Sequence, residues 1–219
     1  MNYIKSLIMI ILVGLLSACG TSDTNEKKKR LRVACVGDSI TSGLKLTNPN
    51  EDSYPSQLDH VLGNNFEVVN FGASGATVLK EGNRPYWTTS LFEPSHVFNP
   101  DIVIIMLGTN DAKPVNWMHN EAFISDYSAL IASYKILKSN PLVYVCYPPP
   151  LYREVAGITD ERIRKEVIFK IRQVTQDNNI ITIDNYSVLS NMKSLFPDGV
   201  HPNKEGAFII AKTVSKVID

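Results

Sequence analysis

The sequence lacks the spacings that hold metals. Neither His-Glu-x-x-His nor Cys-x-x-Cys occurs in its 219 residues, so the common zinc signatures are excluded. Three cysteines are too few for a disulfide-built scaffold. There is no excess of either charge: 22 basic residues balance 22 acidic ones, which leaves no overall electrostatic footprint for DNA or RNA. No internal repeat or low-complexity tract occurs, which argues against a solenoid or a disordered chain. The apolar run LIMIILVGLL (7–16) is too short for a membrane-spanning helix, which needs about 20 residues.

That run has another reading. Lys5 supplies a positive n-region before it, and small residues follow, as in a secretory signal. Leu16-Ser17-Ala18-Cys19 resembles the lipobox of bacterial lipoproteins, which implies that Cys19 is lipidated and becomes the new N-terminus. The polar stretch TSDTNEKKKR (21–30) has no apolar periodicity and suits a solvated tether. The expected organisation is a signal peptide over 1–18, a lipid-anchored tether over 19–30 and one domain over 31–219. The expected location is the cell envelope, on the periplasmic or surface face of a bacterial membrane.

A domain of about 190 residues buries roughly 70% of its unfolded surface, so it needs no disulfide or metal for stability. Five short apolar runs recur within it: LRVACV (31–36), EVVNF (67–71), DIVIIML (101–107), LVYVCY (142–147) and IITID (180–184). The third and fourth are apolar almost throughout, the pattern of strands covered on both faces. Helical stretches separate the runs, at 53–63, 121–140, 160–179 and 203–218. This alternation predicts an α/β fold with a parallel sheet and right-handed crossovers. Cys35 and Cys146 fall in the first and fourth runs, and two buried, unpaired thiols are expected.

In open α/β sheets the site forms where strands end, at the switch in strand order. The first run ends at Gly37-Asp38-Ser39, the second at Gly72-Ala73-Ser74-Gly75 and the third at Gly108-Thr109-Asn110-Asp111. Asp198-Gly199-Val200-His201-Pro202-Asn203 precedes the last helix. These turns hold the parts needed for acyl transfer. A serine hydroxyl attacks only when a base takes its proton, and His201 can be that base. Asp198, three residues earlier, can accept the ring Nδ1–H and leave Nε2 for Ser39. The Ser39 and Gly75 backbone N–H groups and the Asn110 amide are candidate donors to the oxyanion. Asp38 and Asp111 are expected to brace the backbone of their turns.

GDSI, the glycine of NFGASG, GTND and DGVHPN resemble, in order and spacing, the four blocks of the SGNH (GDSL-type) hydrolases. The resemblance covers nearly the whole domain. It implies Ser39 as nucleophile, Gly75 and Asn110 as oxyanion donors, and Asp198 and His201 as acid and base. It also implies a three-layer, flavodoxin-like sandwich with strand order 2-1-3-4-5 and no cofactor.

Three loops follow these blocks and carry aromatic and cationic residues: Arg84, Tyr86 and Trp87; Lys113 and Trp117; Tyr152. Aromatic faces with polar partners suit a sugar better than a long acyl chain. These residues are candidate substrate contacts, and the loops resemble those of bacterial carbohydrate and sialate O-acetylesterases. The expected activity is removal of acetyl groups from an O-acylated carbohydrate. A lysophospholipase or thioesterase, and a non-catalytic glycan-binding lipoprotein, are the alternatives. His60 is expected at the surface of a helix. His96, read as lying in a loop, is open between structural and site roles, and His119 is a candidate lining of the cleft.

Overall fold

The computed structural model describes residues 29–218. The expected signal peptide, Cys19 and most of the expected tether lie outside the described residues. A five-stranded parallel sheet runs in the order 2-1-3-4-5, as expected. The strands are β1 (Leu31–Gly37), β2 (Phe66–Gly72), β3 (Ile102–Met106), β4 (Leu142–Tyr147) and β5 (Ile181–Asp184). β3 is buried at every position, and β4 at all but its first. β2 and β5 form the edges and are only partly covered.

The period-2 alternation of strand side chains divides the interior into two cores. On one face Ala34, Val36, Val103, Ile105 and Val145 meet Phe123, Tyr127, Leu130, Ile171 and Val174. The last five come from the helices Phe123–Lys135 and Ile168–Asp177. On the other face Val33, Cys35, Ile104 and Cys146 meet Tyr54, Leu58, Ile210 and Val214, from the helices Tyr54–Leu62 and Lys204–Ile218. Cys35 and Cys146 are buried and free, with β3 between their strands. Burial pushes the Cys35 thiol up to about 12, which disfavours a reactive thiolate there.

Two details differ from the expected elements. The stretch 160–179 carries a π turn at Ile163–Val167 before its α-helix, which apolar periodicity does not reveal. His96 sits in the short helix Phe92–Val97 rather than in a loop. Its ring stacks on Tyr134 with centroids 4.1 Å apart, and its two nitrogens bond to Phe92 O and Ser133 Oγ. That environment gives His96 a packing role. His60 is exposed, as expected.

Candidate active site

β1 stops at Gly37, and Asp38 caps the one-turn helix Ser39–Ser42 by accepting the Ile40 N–H at 2.9 Å. Ser39 therefore stands on the first turn after the strand, 8% exposed. The turn is joined to the end of β2 from two directions. Asn70 donates to Thr41 O at 2.8 Å and accepts the Gly72 N–H at 2.9 Å, while Ser42 Oγ bonds Ser74 Oγ at 3.0 Å. Asn70 was not among the expected site residues. Its signal was a polar side chain inside the apolar run EVVNF.

The turn 198–201 reaches Ser39 from the other end of the chain. His201 Nε2 lies 2.9 Å from Ser39 Oγ, and His201 Nδ1 lies 2.7 Å from Asp198 Oδ2. The carboxylate accepts the Nδ1–H, which leaves Nε2 to accept from the serine hydroxyl. Asp198 Oδ1 takes the backbone N–H groups of Val200 and His201 at 2.9 and 2.7 Å. Burial opposes ionisation of Asp198, but the His201 ring and these two N–H groups outweigh it and hold the carboxyl below its ordinary range. Gly199 permits the turn. Its φ is +83°, and a Cβ there would lie 2.6 Å from Arg153 Cβ.

The third group lies past β2 and β3. Gly75 has φ +81°, a conformation natural to glycine. Among the described residues, no protein acceptor takes the Ser39 or Gly75 backbone N–H. Asn110 donates one amide hydrogen to Asp38 Oδ2 at 3.3 Å, and a primary amide keeps a second. Asp38 is fully buried, and burial pushes its carboxyl up to about 6 against the Ile40 N–H and the nearby His201. Asp111 accepts the N–H groups of Leu79 and Val78 at 2.9 and 3.1 Å. Burial pushes it up to about 7 despite those bonds. Asn116, also buried, donates to Asn110 O at 2.7 Å and to Asn83 Oδ1 at 3.0 Å, and accepts the Asn83 N–H at 2.8 Å. Its place in the DAKPVNW loop carried no sequence signal.

The proposed substrate contacts divide. Tyr86 is completely buried, with its hydroxyl donating to Phe71 O at 2.9 Å, so it has no surface to offer a ligand. Trp117 is buried too, and its indole N–H donates to Glu166 at 2.6 Å. Tyr152 is half-buried against Phe196, donates to Leu189 O and accepts the Met192 N–H. These three belong to packing, because burial and satisfied polar tips leave them nothing to recognise with. Trp87 is partly exposed, its N–H held by Val78 O and its ring 4.6 Å from Lys80 Nζ. Arg84 is exposed, and its Cδ is 3.5 Å from where a Cβ on Gly75 would lie. Lys113 is half-buried and close enough to Asp38 to favour its ionised form. His119 pairs with Glu81 at 3.1 Å.

The profile of the GDSL-like lipase/acylhydrolase family matches residues 35–207. An acetylxylan esterase of Xylanibacter ruminicola is 31% identical over 210 residues, which covers 88% of this chain and 44% of that protein. The chain thus spans less than half the length of that curated relative. Two solved structures share the fold. A carbohydrate acetylesterase from Sinorhizobium meliloti superposes with a TM-score of 0.73 at 22% identity, over 86% of this chain and 98% of that one. An aryl esterase of M. smegmatis superposes with a TM-score of 0.71 at 21% identity, over the same shares.

Proposed function

The chain belongs to the GDSL-like lipase/acylhydrolase family, and from that premise we propose that it is a serine esterase removing acetyl groups from a carbohydrate. One observation carries the reading: an unbroken hydrogen-bond chain from Ser39 Oγ to His201 to Asp198, with links of 2.9 and 2.7 Å. Ser39 Oγ attacks the acetyl carbonyl carbon while His201 Nε2 takes its proton. The carbonyl π electrons move onto oxygen, where the Ser39 and Gly75 N–H groups and the Asn110 amide receive the negative charge. Collapse breaks the bond to the sugar oxygen, which takes the proton back from Nε2 and leaves as an alcohol. Water then repeats the sequence on the acetyl-enzyme and releases acetate. Asp198 stays ionised and stabilises the transient imidazolium.

The sugar is proposed from the name of the acetylxylan esterase relative. Acetate release from acetylated xylan, with Ser39→Ala as control, tests it. The variant should keep only a residual ~10³–10⁴-fold acceleration over water. Wild-type turnover in the variant, or rates on p-nitrophenyl esters rising steeply beyond C4, would refute the reading.

Lipidation at Cys19 would hold the enzyme at the cell envelope. Residues 29–30 lead into β1 at its amino end, whereas Ser39 lies past its carboxyl end. Mass spectrometry of the mature N-terminus should find acylated Cys19, and an unmodified Cys19 would remove the anchor.

A further inference from the structure

A cleft of about 510 Å³ lies between the 45–47 loop and the 197–205 segment, and it touches both Asp198 and His201. None of Ser39, Gly75, Arg84, Asn110 or Lys113 lines it, so it meets the triad at His201 and Asp198. Its volume falls within the ~300–1,000 Å³ typical of small-molecule sites. It therefore occupies the base side of Ser39, away from the oxyanion donors.

Acyl transfer decides which half of an ester belongs on that side. His201 Nε2 must return a proton to the departing alkoxide, so that oxygen comes within ~2.6–3.2 Å of Nε2 as the bond breaks. The carbonyl oxygen points the other way, to Gly75 and Asn110. The remainder of the alcohol then extends past His201. We propose that this cleft binds the sugar half of the ester, and that the polysaccharide chain continues from it along the helix Lys204–Ile218. This rests on the serine-esterase reading above and adds a recognition surface to it.

The lining suits a pyranose. Lys45 and Thr47 are exposed and supply hydrogen-bonding groups, while Leu46 and Pro197 supply apolar surface for the ring's C–H face. The 45–47 wall is tied to the nucleophile's own turn, with the Leu44 N–H on Ser39 O at 3.0 Å and the Leu46 N–H on Gly43 O at 3.1 Å. Lys45 holds φ +75°, an uncommon conformation for a residue with a Cβ. Such conformations persist only where surrounding structure enforces them.

A second cleft continues the path. It is also about 510 Å³ and shares Asp52 and Lys204 with the first. Those two residues form an ion pair at 2.8 Å between the clefts. Beyond it, Phe208 stands 43% exposed beside His60. An exposed aromatic beside polar side chains offers a platform for a distal sugar ring. Two joined clefts fit an oligosaccharide rather than a single sugar.

Kinetics on acetylated xylo-oligosaccharides and on p-nitrophenyl acetate separate this surface from the shared chemistry. Thr47→Trp should fill the near cleft and lower the ratio of saccharide to aryl-ester kcat/KM by at least about tenfold. Phe208→Ala should lower the ratio about threefold for long oligosaccharides and leave it unchanged for an acetylated monosaccharide. Deacetylated xylo-oligosaccharide should inhibit the wild type competitively and inhibit Thr47→Trp less. An unchanged ratio in both variants, or equal losses on both substrates, overturns the inference. So does a wild type that cleaves the aryl ester and no acetylated saccharide, although the esterase reading then survives. A wild type inactive on both esters removes the esterase reading and this inference with it.

Discussion

On the side of Ser39 proposed to receive the oxyanion, side chains from distant segments hold several turns of backbone. Asn70 and Ser74 fasten the end of β2 to the nucleophile's helix, Asp111 takes the Val78 and Leu79 N–H groups, and Asn116 joins Asn83 to Asn110. Arg162 adds a bond to Ala112 O at 2.7 Å. On the base side, beyond the Asp198–His201 turn, the wall includes the exposed Lys45 and Thr47 beside a cleft. The contrast follows the chemistry. Oxyanion donors stabilise charge only if they are already oriented, since reorienting them during reaction costs what they would contribute. The departing alcohol varies in size and needs room, with one proton donor placed at its oxygen.

Breaking the oxyanion side should therefore affect turnover, and altering the base side should affect substrate choice. Asn110→Ala should lower kcat about 10²–10³-fold with little change in KM. A loss confined to KM would show that Asn110 binds the ground state instead. The Thr47→Trp effect is smaller and should appear in the saccharide-to-aryl ratio.

The smallest effect concerns stability. Burial raises Asp38 to about 6 and Asp111 to about 7, both above the ordinary carboxyl value of 3.8. Folding therefore favours their protonated forms. Their contribution to stability is complete in acid and is lost as pH rises through about 6 and about 7. Asp198, held low, acts in the opposite sense and only in stronger acid. Comparing thermal midpoints at pH 8 and pH 6 for wild type and Asp111→Asn tests this. The wild type should gain more on acidification than the variant, and parallel slopes would show that Asp111 keeps its charge at little cost.

The expected aromatic contacts show where local sequence stops being informative. By sequence Tyr86, Trp117 and Tyr152 are candidate sugar contacts, because aromatic faces with polar and cationic partners suit a sugar. The same residues are also the best available packing for a loop that must cover a sheet end. Burial of their rings and capture of their polar tips by Phe71 O, Glu166 and Leu189 O decide for packing. No local pattern separates the two uses, because the partners lie 15, 49 and 37 residues away. Asn116 escaped notice for the same reason. Asn70 was legible in principle, since a polar residue inside an apolar strand must find partners.

By itself the sequence determined an α/β fold with a parallel sheet, through apolar runs alternating with amphipathic ones, while the layering and strand order followed from the resemblance of its four motif blocks to the SGNH hydrolases. It also named Ser39, Asp198, His201, Gly75 and Asn110, because strand-end turns concentrate those residue types. Only the tertiary structure decided that Ser39 Oγ and His201 Nε2, 162 residues apart, lie within hydrogen-bond reach. It alone showed which aromatics are buried, and that the open groove lies on the base side. Composition and spacing follow the chain, but burial and clefts arise where segments distant in sequence pack together.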